Sequence, residues 1–412
     1  MVHLPLQPVH AGEGRSYVAH LQHARARHAA RVEGGPGLRK RAAAAAAAAA
    51  ATSNADGFST KALKAAIDNS VTAPDGKPGK NSLGLSIEAA DTGYFATIQM
   101  GTPPKPFKIL MDSGSADLWA ASTSCGARCG SHQAIGSDTS STFVGSNTQF
   151  DVTYGTGEVA GVLAQDTVNI AGLKLTNHTF GVALAETADF SAATVPFDGL
   201  MGLAKSALSN EKVPTPIESL KAAGLVSSAT VSYVLGRVDD PTNIGQVTFG
   251  GIDTSKAQGK LTTIPNVNPQ GFWEGAMDDV TVNGKSVNLA NRTAILDTGT
   301  TLIVAPTADA TAIHAAIPGA KSDGQGAFTV PCTTEAVVAL SFGGASFSID
   351  PRDLAFLPVS QTNLKGDCQS GISAGSIGGA KEWLVGDVFL KNVLFATNVD
   401  KNEISLAKVK SG

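Results

Sequence analysis

The sequence predicts an all-β protein built from two lobes. Three observations carry that expectation. From about Leu85 onward, short runs rich in Val, Ile, Thr and Phe alternate with Gly, Asn, Asp and Ser clusters. Few segments have a helical pattern. A pair of short motifs also occurs twice, once in each half of the chain. Of the 412 residues, 42% are hydrophobic and 16% charged, which excludes a long coiled coil or a wholly disordered chain. No run of 18 or more strongly apolar residues is present, so no membrane span is expected. A net charge of -4 excludes a generally basic nucleic-acid binder.

Taken in order, residues 1–41 form a basic head, with seven Lys/Arg against two Asp/Glu and five of the eight His. The remainder carries 24 Lys/Arg against 33 Asp/Glu. Leu38-Arg39-Lys40-Arg41 is a polybasic stretch of the kind processing proteases cut, and Ala42–Ala51 is a run of alanines. Residues 1–30 lack the apolar run of a secretion signal. Either the natural start lies elsewhere or export is unusual. Phe58–Ile67 has a short helical pattern, and Pro74–Lys80 is a Pro/Gly linker. Strands are expected at Tyr94–Met100, Phe107–Met111, Gln149–Tyr154, Val159–Ile170, Thr230–Leu235, Gln246–Phe249 and Val280–Val282. Helices are expected at Pro216–Ala223 and Ala308–Ala316. The body of about 325 residues is too large for one small sandwich. The expected division is a head and linker over 1–84, a first β lobe over 85–245 and a second over 246–412.

The repeat gives the lobes their chemistry. Ile109-Leu110-Met111-Asp112-Ser113-Gly114-Ser115 is one copy, and Ala294-Ile295-Leu296-Asp297-Thr298-Gly299-Thr300 is the other. Leu200-Met201-Gly202 follows Asp112 by 90 residues at its Gly, and Leu384-Val385-Gly386 follows Asp297 by 89. An apolar run reads as a buried strand with Asp at its exit. Gly permits a sharp turn, and the hydroxyl can fix it by hydrogen bonding. Two such loops facing each other would bring two carboxylates together.

Four cysteines, Cys125, Cys129, Cys332 and Cys368, lack the paired short spacings of a zinc site, and two local disulfides are the better reading. Asn177-His178-Thr179 and Asn291-Arg292-Thr293 are candidate glycosylation sequons. Together they point to a secretory setting.

From about Leu85 to Ala407 the chain resembles the pepsin-like aspartic proteases. The resemblance rests on Tyr94–Phe107 leading into Asp112-Ser-Gly-Ser, on Asp151-Val-Thr-Tyr154-Gly-Thr-Gly157, and on Phe197–Leu203 and Phe249–Asp253. Asp297-Thr-Gly-Thr and Trp383–Phe389 complete it. It implies a bilobal pepsin-like fold and a catalytic pair, Asp112 and Asp297, with no metal or other cofactor. Ser115 and Thr300 would bond the outer carboxylate oxygens. Ser113 and Thr298 would lock the two loops, and Gly114 and Gly299 would let them approach. Tyr154, Gly155 and Thr156 would form a flap over the substrate, with the Tyr154 hydroxyl near Trp119. Asp198 and Asp387 are expected to be structural. The disulfides would be Cys125–Cys129 and Cys332–Cys368. Ser113, where Thr is commoner, keeps the hydroxyl.

The implied partners are protein or peptide substrates cut at acid pH, with preference for large apolar or aromatic residues. Thr156 supplies no charge for a Lys before the cut, and the direction of Glu158 is open. A zymogen is expected, with the basic head covering the acidic body. A monomer, secreted or vacuolar, is the default. A non-catalytic binder on the same fold would need a lost Asp or a disrupted flap. A phosphoryl-transfer enzyme would need a βαβ body.

Overall fold

The computed structural model describes residues 57–155 and 157–410. The basic head, its polybasic stretch, the alanine run and Thr156 therefore lie outside the described residues. The body is all-β, and its strands form five sheets with short helices between them.

The first lobe holds a ten-stranded sheet. It runs from Val71–Thr72 through Ser86–Glu88, Gly93–Met100, Lys105–Asp112, Gly199–Gly202, Leu118–Ser122, Leu173–Glu186 and Glu158–Ile170 to Val144–Thr153, with Ala134–Ile135 beside Leu118–Ser122. Gln99 and Met100 pair back onto Asn169 and Val168, which curls the sheet on itself. Val159, Leu163, Val168 and Ile170 of one long strand are buried while Glu158, Ala160 and Gln165 are exposed. That is the alternation expected of a half-solvated antiparallel strand.

The second lobe has a five-stranded sheet, ordered Glu274–Met277, Arg292–Leu296, Glu382–Val385, Ile303–Ala305 and Ile372–Ala374, with two four-stranded sheets. A six-stranded sheet joins the halves. It carries Ala257–Pro265, Glu403–Val409, Val393–Asn398, Thr230–Val234, Gln246–Phe249 and, at its edge, Ser82–Gly84.

The duplicated motifs meet in register. Gly199–Gly202 runs parallel to Lys105–Asp112, with Gly202 opposite Asp112. Glu382–Val385 runs parallel to Arg292–Leu296, with Val385 opposite Leu296. Each returning strand is antiparallel to a third, Leu118–Ser122 in one lobe and Ile303–Ala305 in the other. The glycines that end the returning strands are required by close approach. A Cβ on Gly202 would sit 2.4 Å from the Asp117 amide nitrogen, and one on Gly386 would sit 2.1 Å from the Thr300 carbonyl oxygen.

One large core runs through both halves and includes Tyr94, Met111, Tyr233, Trp273, Leu296 and Trp383. A second cluster holds Trp119, Phe150, Tyr154, Phe190 and Phe197. Both disulfides, Cys125–Cys129 and Cys332–Cys368, are formed.

Candidate active site

Asp112 ends its strand, and Asp297 follows immediately after its own. They are 1% and 0% exposed. Within each loop the same two donors hold the carboxylate. The Gly114 amide donates to Asp112 Oδ1 at 2.8 Å and the Ser115 hydroxyl to Oδ2 at 2.6 Å. The Gly299 amide donates to Asp297 Oδ1 at 2.8 Å and the Thr300 hydroxyl to Oδ2 at 2.6 Å.

Between the loops the bonding is reciprocal. The Ser113 amide donates to Thr298 Oγ1 at 2.9 Å, and the Thr298 amide donates to Ser113 Oγ at 2.9 Å. Each hydroxyl then donates onward across the boundary. Ser113 Oγ reaches the Leu296 carbonyl at 3.0 Å, and Thr298 Oγ1 reaches the Met111 carbonyl at 2.8 Å. Both hydroxyls are buried, where an unpaired polar group would be costly, so the lock is held by its own satisfaction.

The approach is close. A Cβ on Gly114 would lie 2.4 Å from Asp297 Cγ, and a Cβ on Gly299 would lie 2.3 Å from Asp112 Oδ1. Any side chain at either position would displace a carboxylate. The arrangement thus holds two carboxylates face to face, each pinned by an amide and a hydroxyl. Such a pair can share a proton and work as acid and base on one bound molecule.

The hairpin joining Val144–Thr153 to Glu158–Ile170 carries Tyr154 at its turn. Trp119 Nε1–H donates to Tyr154 Oη at 2.8 Å. Phe190 packs edge-on to both rings, with centroid distances of 5.5 Å to Trp119 and 5.3 Å to Tyr154. Burial, and then the negative Asp112, push the Tyr154 phenol well above its ordinary pKa, so it stays a neutral hydroxyl. The Tyr154 amide donates to the Gly157 carbonyl at 2.8 Å, closing the turn that contains Gly155. Glu158 lies opposite Thr153, and its carboxylate accepts from the Thr153 hydroxyl at 3.4 Å. Both residues are exposed, whereas the adjacent Tyr154 is buried. Glu158 therefore points away from the face that carries Tyr154.

Asp198 serves the scaffold. It accepts from the Lys108 amide at 2.8 Å and the Gln133 amide at 2.9 Å. Asp387 opens the short helix Asp387–Leu390, and its amide donates to the Thr300 carbonyl at 2.8 Å.

Some supporting residues escape a reading by motif. Buried Asp117 accepts from the Ser209 hydroxyl, the Asn210 amide and side chain, and the Glu211 amide at 2.7–3.1 Å, and so anchors the loop after Leu203. Thr301 Oγ1 donates to the Thr92 carbonyl at 2.7 Å, and Trp273 Nε1–H to the Leu203 carbonyl at 3.0 Å, both across the two halves. A lone Asp, Thr or Trp has no local pattern that announces such a contact. Among the described residues no cluster of His, Cys, Asp and Glu is arranged to hold a metal ion.

Two β lobes that present matching Asp-hydroxyl-Gly loops to each other define a bilobal protein with a paired-carboxylate centre. The chain belongs to the eukaryotic aspartyl protease family, whose model matches residues 93–409. Among its relatives is a probable aspartic-type endopeptidase CTSD of Trichophyton verrucosum, 39% identical over 348 residues, covering 84% of this chain and 65% of the relative. The chain thus spans about two thirds of that relative's length. Rhizopuspepsin of Rhizopus chinensis is 35% identical over 336 residues, covering 80% of this chain and 82% of that protein. Pepsin A of Bos taurus is 32% identical over 326 residues, covering 77% and 85%. No helix among the described residues is long and apolar enough to cross a membrane.

Proposed function

We propose that this chain is an aspartic endopeptidase that hydrolyses peptide bonds in proteins at acid pH through Asp112 and Asp297. The observation that carries this reading is the mutual contact in which each loop's glycine leaves room only for the other loop's carboxylate. Two carboxylates that close cannot both ionise readily, and they share one proton across an acidic range, as in aspartic proteases generally. The ionised member takes a proton from a bound water, whose oxygen adds to the scissile carbonyl carbon. The protonated member gives its proton to the carbonyl oxygen. As the gem-diol collapses and the C–N bond breaks, the carboxyl that took the water's proton gives it to the leaving nitrogen, and the other carboxylate takes one from a gem-diol hydroxyl, which restores the shared proton. Tyr154 and Trp119 close one side of the cleft, and a hairpin lid suits a long, extended substrate.

Large apolar or aromatic side chains on either side of the cut gain most from such a cleft, at about 1.5–3 kcal/mol each when fully buried. A Lys before the cut would need a partner charge, and Glu158 faces the other way. The chain is made as a zymogen. Its head carries the excess of basic residues, and residues 82–412 carry 20 Lys/Arg against 30 Asp/Glu. As these carboxylates protonate, their attraction for the head weakens and the head is released. Asn177 and Asn291 are exposed, as glycan acceptors of a secreted or vacuolar enzyme would be. Incubation with a denatured protein at acid and at neutral pH, with and without a pepstatin-type inhibitor, tests the activity. Failure to cut at acid pH would refute it.

A further inference from the structure

The segment that precedes the first lobe is built into the body. Ser59 caps the helix Thr60–Asp68, its Oγ accepting from the Lys61 amide at 3.1 Å and the Ala62 amide at 3.4 Å. Ala62, Leu63, Ala65 and Ala66 of that helix are buried in the same core as Tyr94 and Phe356. Phe58 is buried too, and its amide donates to the Leu364 carbonyl at 2.9 Å, more than 300 residues along the chain. A Cβ on Gly57 would lie 2.4 Å from that same carbonyl oxygen, so the close fit extends to Gly57.

The chain that follows is woven into both halves. Val71 and Thr72 pair with Glu88 and Ile87 in the ten-stranded sheet. Ser82–Gly84 forms the edge of the six-stranded sheet against Gln246, Val247 and Thr248. Between them Asn243 donates its Nδ2 to the Thr72 carbonyl at 3.2 Å and to the Leu85 carbonyl at 2.8 Å. Its amide donates to Asp75 Oδ2 at 2.6 Å.

Beneath the helix lies a charged cluster. Lys391, 3% exposed, bridges Asp91 at 2.9 Å and Asp353 at 2.8 Å. Arg237 holds Asp353 through Nε and Nη2. Phe58 and Ala62 line the same small cavity as Asp91, Arg237, Asp353 and Lys391. Removing residues 57–70 would uncover an apolar surface and flood a buried ion network.

We propose that the maturation cut of this chain lies N-terminal to Gly57, so that residues 57–84 remain in the active enzyme as part of its fold. The inference rests on the reading of the chain as a zymogen with an excised head. Hydrolysis there consumes one water and leaves a new amino group ahead of Gly57 and a carboxylate on the released piece. Leu38–Arg41 lies on the required side, with the chemistry that an endopeptidase specific for basic residues recognises.

The test is to express the full chain in a secreting eukaryotic host and acidify it. The N-terminus of the product is read by mass spectrometry, and pepstatin-sensitive hydrolysis is measured on the same sample. The expected N-terminus falls after Arg41 and no later than Gly57. A product beginning after Gly57, or a fully active protein that keeps the head, overturns the inference. The N-terminus is read whether or not the sample cuts substrate, so lost activity bears on the protease reading alone. As a second measurement, exposed Lys61 and Lys64 in the mature protein should resist trypsin under native conditions. Leu63→Asp should speed cutting there by roughly tenfold or more, because local undocking exposes them. Equal rates in the two proteins overturn the idea that the helix is docked.

Discussion

Trp119 Nε1 lies 2.8 Å from Tyr154 Oη, and this hydrogen bond ties the hairpin that carries Tyr154 to the strand that follows the Asp112 loop. Both residues are buried, and both rings rest edge-on against Phe190. Replacing Tyr154 with Phe keeps the ring and removes the acceptor, leaving a buried indole N–H unpaired. The expected cost is about 1–3 kcal/mol, expressed as a fall in kcat/KM of roughly ten- to hundredfold. Trp119→Phe should act on the same bond. A double-mutant cycle should therefore show the two losses well short of additive, and strict additivity would mean that the bond does not couple them.

Asp112→Asn and Asp297→Asn should each remove nearly all peptide hydrolysis, and the double variant should be little worse than either, because the pair acts as a unit. Steady-state kinetics on folded protein checks this. One single variant with near-native turnover would sink the dyad.

Ser113→Ala and Thr298→Ala each remove one hydroxyl of the reciprocal lock and leave a buried amide without its acceptor. Each should cost about 1–3 kcal/mol of stability. Ser113→Thr keeps the oxygen and should cost much less. Denaturant unfolding separates the two substitutions. An Ala variant as stable as the parent would show that the lock contributes nothing.

The first lobe should loosen as pH rises. Burial, opposed by His132 and reinforced by Asp198, pushes the Glu186 carboxyl up to about 7. Burial, and then Asp117, also hold Glu211 well above the usual range. A folded-state pKa above the unfolded value means that the folded state binds more protons between the two values. Stability from these groups is therefore complete at acid pH and is lost as pH rises through the folded pKa. His132, raised in spite of its burial by its bond to Asp198, works in the same direction. Glu186→Gln or Glu211→Gln should raise Tm by a few degrees at pH 8 and change it little at pH 4. An equal change at both pH values would contradict the assignment.

Peptides that differ only in Phe or Lys immediately before the cut should be separated by kcat/KM at one acid pH, in favour of Phe. Glu158 pairs with Thr153 on the exposed face of the hairpin and offers the ammonium no partner. Equal values would show that Glu158 reaches the pocket in the bound state. Thr156→Asp should raise acceptance of Lys.

Most of the fold is legible in the sequence because its strands alternate or run apolar, and turn residues bound them. Gln246–Phe249 begins and ends where that pattern does. The expected helix Phe58–Ile67 starts instead at Thr60, because Ser59 supplies the cap and Phe58 is drawn to Leu364. The two motif pairs mark an element common to both halves, but that the second motif of each half lies parallel beside the first is seen only in the structure, because an offset of about 90 residues fixes no pairing. Asp198, read as structural, binds two backbone amides. The direction of Glu158 was not legible, because a turn of unknown geometry separates it from Tyr154. Nor was the ion network, whose members Asp91 and Lys391 stand 300 residues apart with no periodicity to join them.

The Asp112 and Asp297 loops are nearly interchangeable, since each carboxylate has the same donors and each hydroxyl the same counterpart. Seven residues after Asp112 stands Trp119, whereas seven after Asp297 stands Val304, which has nothing to donate. On the protease reading, a symmetric pair of acids would not by itself distinguish the two ends of a bound polypeptide. The Trp119 indole ties its hairpin to the first lobe, so the surroundings of the two carboxylates are not equivalent. On the protease reading, the hairpin that Trp119 ties down in the first lobe is one of the asymmetries, with the unlike sheets of the two lobes, that would tell the two ends of a bound chain apart.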